Sequence, residues 1–383
     1  MAMMDDLDIQ KIEAEADKFA AARQFGEARD LLAQIVQLDP AQFEVWVKLA
    51  SMQIATGNAN AALHSAEAAL AQRPLDFSAL LMRANLLDRL GRGKHAGEAY
   101  GRAVHNAPPN LPERAKAALD HARIRYGQWQ EAEKARLLAA ISAETIVTPR
   151  LQALTESSLR MIAPEREGPS NYCYPGLGVT EFFDTAFFPW AVEVEAIWAG
   201  IAAEFAALME GQHAHLLPYI QYPENVPLEQ WKALNNNDGW RAAHLVQNGD
   251  VINDNVANCA KTMAMLSRLP QPIIPGGGPN AMFSLLAPRT HIPPHTGINN
   301  ARLVCHLPLI VPDGCWFRVG SQTRRWEPGK LLIFDDTIEH EAMNPSDLLR
   351  VVLIFDIWHP ALDEQEKAGI TALIAADERM LGL

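Results

Sequence analysis

Hydrophobic positions in the first third of the chain fall on a helical period, and the pattern repeats. Ala16, Ala50 and Ala84 recur every 34 residues, as do Ala28, Ala62 and Ala96, and as do Pro40, Pro74 and Pro108. Gly57 and Gly91 follow the same spacing, whereas the first copy has Arg23 at that place and Gly26 three residues on. Such columns predict two helices per repeat. Small alanines let paired helices approach closely, glycine supplies positive φ at the turn between them, and proline ends the second helix. Residues 112–145 read as further helices, a cap or a degenerate fourth unit.

After about residue 165 the period changes. Residues 187–210 read as an amphipathic helix, and residues 222–280, rich in Asn, Gly and Pro, as loops over a site. Short apolar runs follow at Met282–Ala287, Arg302–Val311, Cys315–Val319, Leu331–Phe334 and Leu349–Trp358. Turn residues such as Pro312-Asp313-Gly314 and Glu327-Pro328-Gly329-Lys330 separate them, which predicts the short strands of a sandwich, jelly roll or barrel. A final amphipathic helix, about Asp363–Met380, is expected to cover its outside.

The 34-residue period resembles the tetratricopeptide repeat over roughly residues 10–110. The expected fold class is two-domain: an N-terminal α-solenoid of helical repeats over 10–145, then an all-β jelly roll (double-stranded β-helix) with flanking helices over 165–362, with 363–383 as a C-terminal helix. A repeat array offers either a concave surface for a peptide or protein, or a scaffold for assembly. No carboxylate-clamp pattern of Lys, Arg and Asn stands out.

Composition narrows the classes. Apolar residues make up 49% of the 383, enough for substantial cores, and the net charge of −13 argues against nucleic acid as the main partner. The four cysteines, Cys173, Cys259, Cys305 and Cys315, form no CxxC pair. Met1–Gln10 is acidic and lacks the apolar core of a signal peptide, and no run of 18 apolar residues is present. No membrane span is expected, and the cytoplasm is the expected location.

The chemistry concentrates in two clusters, Thr290-His291-Ile292-Pro293-Pro294-His295-Thr296-Gly297 and Phe334-Asp335-Asp336-Thr337-Ile338-Glu339-His340-Glu341. His295 and His340, each at a strand end, can meet across a jelly roll, and neutral imidazoles suit iron(II). His291 and His295 form an HxxxH, but Pro293 and Pro294 forbid a helix, so a zincin is excluded and His291 reads as structural. Arg350 opens an apolar strand, and an arginine inside a barrel demands an anion such as a dicarboxylate.

The ordered set Ser284, His291-Ile-Pro-Pro-His295-Thr-Gly297, Arg302, His306, Gly329-Lys330, Phe334-Asp335-Asp336, Glu339-His340-Glu341, Arg350 and Asp356-Ile-Trp358-His359-Pro360 resembles the aspartyl/asparaginyl β-hydroxylase family. The resemblance runs from about Tyr174 to Pro360. It implies an iron(II)- and 2-oxoglutarate-dependent dioxygenase with His295 and His340 as catalytic metal ligands. It implies that Arg350 and Ser284 hold the distal carboxylate of 2-oxoglutarate, that His306 contacts the carboxylate nearer the metal, and that Arg302 belongs to the same cosubstrate group. Gly297 stands where related oxygenases carry a third, carboxylate ligand; Asp335 and Asp336 are then expected in a turn or behind the ligands. The implied reaction consumes O2 and releases succinate and CO2, with β-hydroxylation of an Asp/Asn-type residue in a peptide or protein as the leading expectation. Val304 replaces an arginine that contacts the substrate carboxylate in aspartyl-hydroxylating relatives, and Asn235–Asn237 stand near the place of another. That favours a substrate neutral at this point. A hydroxylase of a free amino acid or lipid, with the repeats serving assembly, is the alternative; a repeat scaffold with a degenerate oxygenase domain is the non-enzymatic one.

Overall fold

The 34-residue period becomes three helix pairs: α1 (Asp6–Ala21) with α2 (Phe25–Leu38), α3 (Phe43–Ala55) with α4 (Ala59–Gln72), and α5 (Phe77–Arg89) with α6 (Gly93–His105). The computed structural model describes residues 6–164, 171–210, 215–223 and 230–377. The chain divides into two units, Met1–Glu133 with Pro223–Pro227, and Lys134–Tyr222 with Leu228–Leu383.

In the first unit all six repeat alanines are buried, at 1% exposure or less. At the turn between paired helices Gly57 has φ 81° and Gly91 φ 72°, and Arg23 takes the same left-handed conformation at φ 61°. The turn therefore keeps its geometry in the first copy without glycine, and Gly26 lies inside α2 instead. Asn58 and Asp76 cap α4 and α5 by accepting from the N–H groups of Ala61 and Ala79. The further helices expected over 112–145 are one helix, α7 (Glu113–Glu144), 32 residues long. Nothing in it stops a helix: it holds no proline, and its one glycine, Gly127, stays helical. Gly97 and Gly101, one turn apart on α6, give α7 a flat bed. A Cβ at Gly97 would collide with the Trp129 ring, and one at Gly101 would lie 2.6 Å from Tyr126.

The second unit adds α8 (Pro149–Ser158), β1 (Phe182–Phe183), α9 (Ala191–Ala196), α10 (Trp198–Glu210), β2 (Leu217–Pro218), β3 (Trp240–Gln247), β4 (Asp250–Val251), α11 (Asn253–Val256) and α12 (Ala260–Leu266). The helix expected over 187–210 is thus broken, with Ile197 capping α9 before α10 begins. The stretch 222–280 is not all loop. It contains the eight-residue strand β3, hidden in the sequence by the weak strand formers Ala242-Ala243 and by a register shift between His244 and Val246; residues 224–229 of that stretch lie outside the described residues.

Eight strands follow the jelly-roll path: β5 (Ala281–Leu286), β6 (Thr290–His295), β7 (Arg302–Ile310), β8 (Trp316–Val319), β9 (Gln322–Arg324), β10 (Leu332–Phe334), β11 (His340–Asn344) and β12 (Arg350–Trp358). Both sheets are antiparallel. One runs β1-β10-β7-β12-β5-β3-β2, with β4 beside β3, and the other β6-β11-β8-β9. After them comes α13 (Glu364–Ala376), opened by a capping box of Asp363 and Glu366. The expected boundary at 165 and the end of the expected last helix, 378–383, lie outside the described residues. Among the described residues no helix is long and apolar enough to cross a membrane.

Alternation along the strands sorts the large sheet into two faces. Leu303, Cys305 and Leu307 of β7 and Val351, Leu353 and Phe355 of β12 join one core with Ile201, Phe205 and Leu208 of α10. The other face packs Trp240, Leu286, Val304 and Val352 against Ile292, Phe317, Val319 and Ala342 of the small sheet. Ser284, Arg302, His306 and Arg350 share the strand parity of that second face. Polar residues thus enter the space between the sheets in the same stride that seals the first core.

Candidate active site

His295 ends β6 and His340 begins β11, and the two are direct partners across the ladder. A register shift between His340 and Ala342 lets β6 carry Pro293 and Pro294, which an edge strand tolerates. The two rings stand 4.0 Å apart between centroids. Each Nδ1 lies against the carbonyl two residues back: His295 on Pro293 at 2.8 Å and His340 on Ile338 at 2.9 Å. A carbonyl only accepts, so each Nδ1 carries the hydrogen and each Nε2 is the unprotonated nitrogen. Burial, then the neighbouring His295, pulls the His340 pKa down to about 3, and burial lowers that of His295. Both rings are therefore neutral at physiological pH.

Arg350 is 2% exposed, and its Nη1 donates to the carbonyl and hydroxyl of Ser284 at 3.2 and 3.3 Å. Its Nε is buried without a partner, no Asp or Glu among the described residues balances it, and burial brings its pKa down to about 10. The Ser284 oxygen also accepts from Trp240 Nε1 at 3.0 Å. With both lone pairs occupied, its own hydrogen is left to donate outward. His306 is buried, and its pKa is driven well down by burial first and then by Arg350 and His340, which places it electrostatically between the two.

Arg302 differs. Its guanidinium donates to Asp356 and Asp336, each at 2.9 Å. Burial alone would lower its pKa, but Asp336 and Asp356 together raise it. Its charge is thus already met inside the protein. Asp336 Oδ1 is buried without a partner, and burial, opposed by Arg302, lifts the Asp336 pKa to about 6. Gly297 lies against this carboxylate: a Cβ there would collide with it, and the Gly297 N–H donates to the Asp336 carbonyl at 2.6 Å. Asp335 accepts from the Thr337 N–H and hydroxyl in the adjoining turn.

Other sequence candidates hold no polar place among these groups. His291 is half-exposed and bonds Glu341 at 2.8 Å. Val304 is buried between Phe334 and Asp356 of the neighbouring strands. Asn235 brackets Tyr222, accepting from its N–H at 2.8 Å and donating to its carbonyl at 3.0 Å, and Asn237 accepts from the Gly239 N–H. Sequence reasoning missed the tryptophans that frame the site. Trp231 stands edge-on to His295 at 5.1 Å, Trp240 binds Ser284, and Trp326 touches both His306 and Arg350. Their period matches core packing, so only the contacts reveal them. Among the described residues no group of three or more His, Cys, Asp or Glu is placed to hold a metal ion.

Known proteins resemble this chain over the second unit. Residues 195–360 match the model of the family described as aspartyl/asparaginyl beta-hydroxylase. An ornithine lipid ester-linked acyl 2-hydroxylase of Rhizobium tropici is 37% identical over 193 residues, 50% of this chain and 64% of that protein. The human aspartyl/asparaginyl beta-hydroxylase is 32% identical over 191 residues, 50% of this chain and 24% of that protein. The chain therefore spans less than two thirds of the length of these relatives. Among solved structures, the Sgt2 TPR domain of Aspergillus fumigatus aligns at 20% identity and a TM-score of 0.30, covering 33% of this chain and 84% of that one. The helical repeats are identified by their own period, turns and buried alanines. Over residues 195–360 the second unit is thus similar to the aspartyl/asparaginyl β-hydroxylase family.

Proposed function

We propose that the second unit is an iron(II)- and 2-oxoglutarate-dependent hydroxylase. The observation that carries this reading is a pair of neutral imidazoles with unprotonated Nε2 atoms in the same interior as a buried arginine that meets no carboxylate among the described residues. A buried unpaired cation is costly, and a bound carboxylate offsets that cost. Bound iron(II) and 2-oxoglutarate would supply oxygen activation coupled to decarboxylation, with succinate and CO2 released and a hydroxyl placed on an unactivated C–H bond. The residues supply the rest. His295 and His340 hold the metal through Nε2. Arg350 and Ser284 take the distal carboxylate, and His306 the one nearer the metal. Arg302 fixes Asp336 behind Gly297, so it positions a neighbour and leaves the cosubstrate to Arg350. Val304, Phe334 and Trp231 keep the surroundings apolar and exclude water.

The leading substrate is an Asp/Asn-type residue of a peptide or protein, in its neutral asparaginyl form. Val304 offers no charge to a substrate carboxylate, and Asp336 keeps an unpaired oxygen nearby. The same apolar wall favours, as a second reading, a lipid acyl chain, the substrate type named for the Rhizobium relative. The repeats would then engage the peptide or serve assembly. Succinate formation from 2-oxoglutarate with iron(II) and oxygen tests the reaction, and a panel of asparaginyl peptides, aspartyl peptides and acyl lipids tests the substrate. Selective turnover of the aspartyl peptide would overturn the substrate reading. No succinate with any of them, together with no manganese(II) binding, would favour a degenerate domain.

A further inference from the structure

Trp326 follows β9 and is 3% exposed. Its indole makes two polar contacts at once. Nε1–H donates to His306 Nδ1 at 3.3 Å, and the ring lies beneath the Arg350 guanidinium, whose Cζ is 4.7 Å from the ring centroid. Phe317 stacks on the indole at 5.3 Å and 15°, fixing its plane. An indole N–H is only a donor, so the His306 Nδ1 it meets must be the acceptor, and the proton of the neutral ring must sit on Nε2. Absent that bond, the two tautomers would compete, and one of them presents a lone pair where a carboxylate needs a donor. The indole face in turn attracts a guanidinium that has no carboxylate partner. The two groups assigned to opposite ends of the cosubstrate are therefore prepared by one side chain.

We propose that Trp326 is the positioning residue of the dicarboxylate pocket, setting the His306 tautomer through its N–H and shelving Arg350 on its ring. This rests on the 2-oxoglutarate reading for its ligand, but the tautomer is a property of the ligand-free protein. The two contacts separate by substitution. Trp326→Phe keeps an aromatic face and removes the N–H. Trp326→Met keeps much of the volume and removes both.

The test uses the full chain, with melting temperature as the check on folding. Long-range proton–nitrogen spectra of histidine-labelled, metal-free protein, assigned with His306→Gln, should show His306 protonated on Nε2 in the parent and a tautomer mixture in Trp326→Phe. Calorimetric titration of 2-oxoglutarate into the manganese(II)-loaded protein should show binding about tenfold weaker in Trp326→Phe and about a hundredfold weaker in Trp326→Met, one and two steps of roughly 1.4 kcal/mol. An unchanged His306 tautomer and unchanged affinity in folded Trp326→Phe would overturn the proposal. If the parent itself binds no 2-oxoglutarate, the cosubstrate reading fails, while the nitrogen spectra still decide the tautomer.

Discussion

In the helical repeats Lys48 is bonded to Glu13 and Asp17, and Arg125 to Asp88, so cations there meet carboxylates at partly exposed positions. In the β-domain Arg350 is almost fully buried and meets none among the described residues, while Arg302, also on the interior side of the large sheet, meets two. Among the described residues of the first unit, the buried orphan is a neutral indole N–H, that of Trp129 on α7. Between the sheets the orphans include atoms of charged groups, Arg350 Nε and Asp336 Oδ1. A scaffold satisfies its polar groups internally. A site leaves some of them for what it binds, and that residue of unmet hydrogen bonding is what marks the second unit as the one with chemistry.

The contrast between the two arginines can be broken most directly by substitution. Arg302→Met should destabilise the protein by about 3–5 kcal/mol, because it strands Asp336 and Asp356 as buried, unpaired carboxylates. Arg350→Met should leave chemical-denaturation stability unchanged or higher, since no buried partner is stranded. It should weaken 2-oxoglutarate binding to the manganese-loaded protein by at least about a hundredfold, some 2.7 kcal/mol. Equal destabilisation by both would mean that Arg350 is a structural ion after all. In the repeats, Gly97→Ala should cost about 1–3 kcal/mol by driving Trp129 off α6, read as a lower melting temperature.

Acid should separate the units further. His340 takes its proton at about 3 when folded and near 6.5 when unfolded, so stability falls as pH drops from 6.5 towards 3. Asp336 works in the other direction: it protonates at about 6 when folded and near 3.8 when unfolded, so its protonation favours folding as pH falls from 6 to 3.8. Asp336→Asn should therefore steepen the loss of metal-free stability between these values, and an unchanged slope would count against this assignment. The smallest effect belongs to the first repeat turn. Arg23→Gly should stabilise by about 0.4–1 kcal/mol, since Arg23 now holds a left-handed φ, and thermal melting would show it.

The repeats were legible because the same small residue recurs at the same place, and a period needs no tertiary information. His295, His340 and Arg350 were legible as an ordered motif. Other features depend on partners distant in sequence. Nothing local distinguishes Arg302, paired to two carboxylates, from Arg350, paired to none; both simply open an apolar strand. Trp326 reads as core until His306 and Arg350 arrive from other strands. The left-handed Arg23 is imposed by the helix pair around it, against its own preference. The single long α7 was misread because continued helical period was divided to suit a repeat that the residues no longer keep.

The contact between Gly297 and Asp336 also constrains the history open to this site. An aspartate placed at 297 would find its space filled by the carboxylate of Asp336, which Arg302 holds fast. A side chain at 297 alone meets a clash, and removal of the Asp336 carboxylate alone leaves a void and an Arg302 paired only to Asp356. Descent from this arrangement to one with a carboxylate at 297 therefore runs through at least two linked substitutions. Val304 carries no such coupling, so a single exchange there alters the apolar wall without a second change.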